Sequence, residues 1–176
     1  MNRVIERLIT LKVGDVMTKS VVEISAHQTM TEAAALLVSH EVSGVPVTDE
    51  TGRCVGILSA ANFVLREHVG EEGVRSATAC AEHLPVCNQR EEPLQTAGAS
   101  KDLVCAHMSS SVQSISEDQS LLAAARIMCS QHIHRLPVLD SGGHPVAMLS
   151  STDIIAAVVN IVDEMEATTL PRKENR

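Results

Sequence analysis

Between residues 21 and 67 the spacing of apolar positions changes period several times. Val21–Ile24 is a short β-rich run, followed by Thr29 with Glu32 three residues on, a helix-start pair. Met30, Ala33, Ala34 and Leu37 then recur at helical spacing. Val42 to Thr48 is a second β-branched run, Asp49-Glu50-Thr51-Gly52 a turn, and Cys54–Leu58 the returning strand of a hairpin. Ser59 caps a helix through Ala60–Glu67, so the pattern predicts the order β-α-β-β-α. The same order returns downstream. It runs as strand Val112–Ile115, a helix with Leu121, Ala124, Ala125 and Met128 on one face, strand Leu136–Leu139, turn Asp140-Ser141-Gly142-Gly143 and strand Val146–Leu149. A last helix starts at Ser150 and extends to about Glu166.

These two stretches are copies. Residues 13–64 recur as residues 104–155 without a gap, Met17 standing 91 residues before Met108 and every other match keeping that offset. Ile24/Ile115, Ala33/Ala124, Pro46/Pro137, Asp49/Asp140, Gly52/Gly143, Leu58/Leu149 and Ser59/Ser150 are among the identities. Two such units close a core by packing on each other, and their interface is the place to look for function. Ahead of them Val4, Ile5, Leu8 and Ile9 predict a short leading helix packed on the pair. Ile154, Ile155, Val158, Val159 and Val162 give the last helix more apolar surface than its own repeat needs, a face for another subunit. Arg66 to Lys101 is polar, with Pro85 and Pro93 as breakers, and its composition fits either a functional cover or a disordered link. The expected organisation is therefore 1–65 (leading helix and first repeat), 66–103 (insertion), 104–167 (second repeat) and 168–176 (tail).

Composition narrows the function. With 176 residues and 44% apolar content the chain can form a core. A net charge of −8 repels the phosphate backbone, and one Phe with no Trp or Tyr supplies no stacking platform, which argues against nucleic acid. Any base would have to sit between aliphatic side chains. No basic region followed by an apolar stretch opens the chain, and Asn160 breaks the longest apolar run, so neither secretion nor membrane insertion is expected. Five cysteines without small-scaffold spacing fit reduced thiols in the cytoplasm.

The candidate chemistry lies where the third strand of a repeat meets the following helix. In Ala147-Met148-Leu149-Ser150-Ser151-Thr152-Asp153, Ser150 and the free amides of the helix start can take an anion, and Asp153 can accept two hydrogen bonds from a vicinal diol. Phosphate and ribose are the natural guests. The same residues also read as an N-cap and a first-turn acid that only stabilise the helix. The first copy carries Gly56-Ile57-Leu58-Ser59-Ala60-Ala61-Asn62 in register. Cys80-x-x-His83-x-x-x-Cys87, with Cys105 or His107, is a zinc-like spacing without a standard ligand pattern, and it is read as linker; no metal is expected. No nucleophile-base set, phosphate-binding glycine loop or paired buried acids can be assembled, so no catalytic residue and no enzyme activity is expected.

Four features in register, Asp15-Val16-Met17-Thr18, Val42-Ser43-Gly44-Val45-Pro46-Val47, Ile133-His134-Arg135-Leu136-Pro137-Val138-Leu139-Asp140 and Ser150-x-x-Asp153, resemble the CBS (cystathionine β-synthase) domain. The duplicated pair resembles the tandem called a Bateman module. The resemblance covers both repeats but not the insertion. It implies an α/β fold of two β-α-β-β-α repeats packed through their sheets with pseudo-two-fold symmetry, leaving two clefts for an adenosine ligand. Carried over residue by residue, the main cleft would use Thr18, Ser20, Val22, Val42, Ser43, Met148, Ser150, Thr152 and Asp153. Asp153 would hold the ribose, Ser150 a phosphate, and Val22, Val42 and Met148 the base. His134 and Arg135 match a basic pair that the nucleotide-sensing subunit of AMP-activated protein kinase uses near phosphates. In the other cleft Ser59 is followed by Asn62 where the family has Asp, which implies a weak or empty site. The expected function is a cytoplasmic regulatory module that binds AMP, ADP, ATP or a relative, with no other cofactor. It would pass occupancy to a homodimer equilibrium or to an effector protein. The alternatives are a ligand-free structural or oligomerisation domain, and a metal or redox protein using Cys80 and Cys87.

Overall fold

The computed structural model describes residues 3–67 and 102–169. Helix α1 (Arg3–Thr10) is followed by a single 3-10 turn, Val13–Asp15. The first copy then forms β1 (Ile24–Ser25), α2 (Met30–Ser39), the hairpin β2 (Gly44–Thr48) and β3 (Cys54–Ser59), and α3, described over 60–67. The second forms the short α4 (Val104–His107), α5 (Leu121–Gln131), the hairpin β4 (Arg135–Leu139) and β5 (Pro145–Ser150), and α6 (Ser151–Thr169). The expected β-α-β-β-α order is present in the first copy; in the second the hairpin and both helices are present, and the opening strand is reduced to a bridge at Ile115.

Local chemistry explains the boundaries. At the start of α2 the Glu32 amide donates to Thr29 Oγ1 at 3.2 Å while the Thr29 amide donates to Glu32 Oε2 at 2.8 Å, so two amides without helical partners are satisfied reciprocally. Ser120 accepts from the Ala123 amide at 3.2 Å and starts α5 in the same way. Both of these helices are followed by a residue with left-handed backbone at equivalent positions, Glu41 and His132, each with φ of 53°. The hairpins turn on Gly52 (φ 80°) and Gly143 (φ 85°), where a side chain would be strained.

In the first copy β1 pairs parallel with β2 (Ile24 beside Val47) and β2 pairs antiparallel with β3 (Gly44 beside Ser59). In the second, Ile115 alone bridges Val138 in parallel beside the β4–β5 hairpin. The opening strands are thus much shorter than the runs Val21–Ile24 and Val112–Ile115 predicted. Their β-branched side chains are half-buried at Val21, Val22 and Val112, but the backbone forms a ladder only where β2 or β4 lies alongside. β propensity reports packing on a pleated surface more than pairing.

The described residues divide into two compact units, and each borrows its opening segment from the other copy. The Asp153 unit holds the residues up to Ser20, Gln113–Asp140 and those from Val146 onward; the Asn62 unit holds the rest of the described chain, including Ser141–Pro145. Within the Asp153 unit the Val13 amide donates to the Gln119 carbonyl and the Gly14 amide to that of Glu117, both at 2.9 Å, and Thr18 and Met148 exchange amide-to-carbonyl bonds of 3.2 Å. Within the Asn62 unit the same bonds recur at the 91-residue offset. Val104 donates to Gln28 (2.9 Å), Cys105 to Ala26 (3.0 Å), Ile57 to Ser109 (3.0 Å) and Ser109 to Ile57 (2.9 Å).

Val13 is fully buried in one core, with Leu136, Val138, Ala147 and Leu149. Val104 is fully buried in the other, with Ile24, Met30, Val47 and Leu58. Each such valine stabilises its unit by roughly 1.5–3 kcal/mol, so the borrowed segments are part of the core. Helix α1 rests on α5 and α6 within the Asp153 unit.

Candidate functional site

β5 runs into α6 with no intervening loop, and the junction folds back on itself. The Ser150 amide and hydroxyl both donate to Asp153 Oδ2 at 2.7 Å, and the Asp153 amide donates to Ser150 Oγ at 3.2 Å. Oδ1 takes no hydrogen bond from a described residue. The side chain is half-buried, held by one oxygen with the other on offer. The paired Thr18 and Met148 adjoin this turn, because Met148 lies two residues before Ser150 on β5. The Ser151 amide donates to the His134 carbonyl at 2.9 Å, which brings the residue before β4 to the same end of β5. His134 is exposed and Arg135 half-buried; Ser20 and Thr152 are exposed.

Of the main-cleft residues named from sequence, Thr18, Ser20, Met148, Ser150, Thr152 and Asp153 lie in the Asp153 unit, as do His134 and Arg135. Val22, Val42 and Ser43 lie in the Asn62 unit, where Val22 and Val42 pack against the core and the Ser43 carbonyl accepts the Ala60 amide at 3.1 Å.

The corresponding turn of the Asn62 unit starts from the same bonds. The Ser59 amide and hydroxyl donate to Asn62 Oδ1 at 2.8 and 3.0 Å. Asn62 Nδ2 then donates to the His107 carbonyl at 2.9 Å and to Ser109 Oγ at 3.3 Å. Asn62 is 7% exposed. Sequence reasoning did not single out Ser109 or the His107 backbone, although Ser109 is the repeat partner of Thr18 and could have been found by carrying the offset through.

Cys80, His83 and Cys87 fall outside the described residues. Among the described residues no three His, Cys, Asp or Glu side chains are grouped to hold a metal. Burial pushes the Cys54 thiol above its ordinary pKa, which leaves it a poor nucleophile. A groove of about 490 Å³ between α1 and α6, lined by residues such as Arg7, Asp15, Asn160 and Glu164, shares no residue with either turn. No helix among the described residues is long and apolar enough to cross a membrane.

A sequence model of the CBS domain matches residues 13–66 and 101–160. Among curated proteins, the chain is 26% identical over 153 residues to the CBS domain-containing protein CBSX1, chloroplastic, of Arabidopsis thaliana, across 85% of this chain and 64% of that one. Its fold matches the CBS domain pair of protein MJ0100 in complex with 5'-methylthioadenosine and S-adenosyl-L-methionine. There the TM-score is 0.62 at 21% identity, covering 85% of this chain and 96% of that chain. It also matches CBSX2, from Arabidopsis thaliana, in complex with AMP, with a TM-score of 0.65 at 21% identity over 86% and 98% of the two chains. At these identities the likeness establishes the fold.

Proposed function

The chain belongs to the CBS domain family, and on that footing we propose that it is a regulatory module that binds an adenosine-containing nucleotide at the Ser150–Asp153 turn. The observation that carries this reading is the half-committed carboxylate. Ser150 occupies Asp153 Oδ2 and fixes the side chain, while Oδ1 remains an acceptor for a ribose hydroxyl. The start of α6 presents the favourable end of the helix dipole to a phosphate, Arg135 supplies positive charge in a chain of net charge −8, and the His134 ring offers an N–H donor beside it. Thr18, Ser20, Met148 and Thr152 complete the surroundings. The complexes of related folds with AMP, and with methylthioadenosine and S-adenosylmethionine, support an adenosine ligand as the class.

Thr18 comes from the first copy and Met148 from the second, so a nucleotide held beside them favours the state in which the borrowed segment is docked. Occupancy then shifts any coupled equilibrium only by the difference in affinity between the two states. That equilibrium is self-association or the binding of an effector protein. The stripe Ile155, Val158, Val159 and Val162 stays solvent-exposed on one side of α6 and supplies a surface for a second copy.

Titration calorimetry with AMP, ATP and S-adenosylmethionine on wild type, D153A and D153N tests the assignment. Removing the carboxylate is expected to weaken binding tenfold or more, because a charged acceptor is lost from a desolvated diol contact. Wild-type protein that binds none of the three ligands, or D153A that binds like wild type, overturns it.

A further inference from the structure

The two turns share a beginning, but around the 59–62 turn the chain supplies a partner for each polar group of Asn62. The Asn62 carboxamide has two lone pairs and two N–H groups, and all four are used, on Ser59 at one end and on His107 and Ser109 at the other. A carboxylate there would set an acceptor against the His107 carbonyl, so the neighbours themselves demand an amide. One turn further along α3, Arg66 reaches Asp102 Oδ1 at 2.8 Å, with His107 Nε2 3.8 Å from the same oxygen and its ring largely buried. At the repeat-equivalent positions of the Asp153 unit stand Ala157 and Leu11, apolar residues of its core and the core's edge. The polar ties at 62 and at 66 therefore occur together on one side of the repeat and are both missing on the other.

We infer that Asn62 and the Arg66–Asp102 pair form a polar clasp that anchors the segment 102–109, where the chain returns from residues 68–101, onto α3. This use of the turn removes it as a nucleoside site. The second clause rests on the function proposed above; the first does not. The clasp ties α3 to the segment that opens at Asp102 and so holds the Asn62 unit together.

The test uses the full chain. Asn62→Asp keeps the acceptor for Ser59 and deletes the donor, so it isolates the tie to His107 and Ser109. It is expected to lower Tm by roughly 5 °C and to speed amide exchange at Ile57 and Ser109 about tenfold. Arg66→Gln is expected to move the same amides in the same direction by less, and it reads the clasp if the Asn62 variant does not fold. AMP titration is expected to give one site per chain in both wild type and Asn62→Ala. Unchanged exchange in Asn62→Asp and Arg66→Gln overturns the clasp. Two AMP per wild-type chain, one of them lost in Asn62→Ala, overturns the loss of the site. If AMP does not bind wild type at all, the nucleotide reading fails while the exchange result still decides the clasp.

Discussion

Asn62 and Asp153 differ by an NH2 in place of an oxygen, and both accept the amide and hydroxyl of the serine three residues earlier. In one unit the remaining group points inward and is consumed by the chain; in the other it is left as an acceptor. The surroundings differ in the same sense. Arg66 and Asp102 stand opposite Ala157 and Leu11 in the repeat, and Gly56 stands opposite Ala147. A duplicated fold thus keeps its scaffold bonds while the side chains around one turn tighten and those around the other stay open. Scaffold and site can be separated experimentally because each position has an internal control 91 residues away.

The largest effects are expected where the copies are most alike. Leu58 and Leu149 are both fully buried at equivalent points of the two cores. Leu58→Ala and Leu149→Ala are each expected to cost about 2–5 kcal/mol in denaturant unfolding. Should one of them prove nearly neutral, the equivalence of the two cores fails.

A smaller effect is expected where the copies diverge in packing. A Cβ placed on Gly56 would overlap Met108 Sδ and lie 2.9 Å from its Cγ. Gly56→Ala is therefore expected to destabilise by roughly 1–3 kcal/mol through overpacking, with Met108→Ala in the same chain restoring part of the loss. Ala147 already carries that methyl in the Asp153 unit and is fully buried. Additive costs in the double variant would show that the Met108 side chain is not what Gly56 accommodates.

How much of this was legible before the fold follows the same division. The helix start at Thr29, the hairpin glycines and the apolar faces of α2 and α5 are local, and their residues announce them. The extent of β1 was not legible, because Val21 and Val22 look like strand residues and only the position of β2 limits the pairing to Ile24 and Ser25. Neither was the borrowing of Val13 by one core and Val104 by the other, since spacing places a segment without naming its partner. At the candidate site, Ser150 with Asp153 could be read from the motif, and Thr18 came from family resemblance. The fate of Asn62 could not, because the groups that consume its amide lie 45 and 47 residues away.

The finest contrast is between the two caps. Helix α2 has the reciprocal pair Thr29 and Glu32, whereas α5 has Ser120 with Ala123 at the third position and so only one half of the arrangement. The amide of Thr29, followed by its hydroxyl, holds the Glu32 carboxyl below its ordinary pKa. A carboxylate with a depressed pKa in the folded state contributes stability above its unfolded pKa, and that contribution is lost as the pH falls through the folded value. Acidification from pH 6 through the Glu32 range, whose ordinary value is 4.5, is therefore expected to loosen the first turn of α2 more than that of α5. Amide exchange at Glu32 and Ala33, set against Ala123 and Ala124 and corrected for intrinsic pH dependence, reads the difference. Glu32→Gln should remove most of the acid sensitivity, since a neutral amide keeps its bond to Thr29 at either pH. Equal responses of the two helix starts, or a Glu32→Gln chain as acid-sensitive as wild type, would mean that the second half of the cap contributes nothing measurable and that the helix starts differ only in sequence.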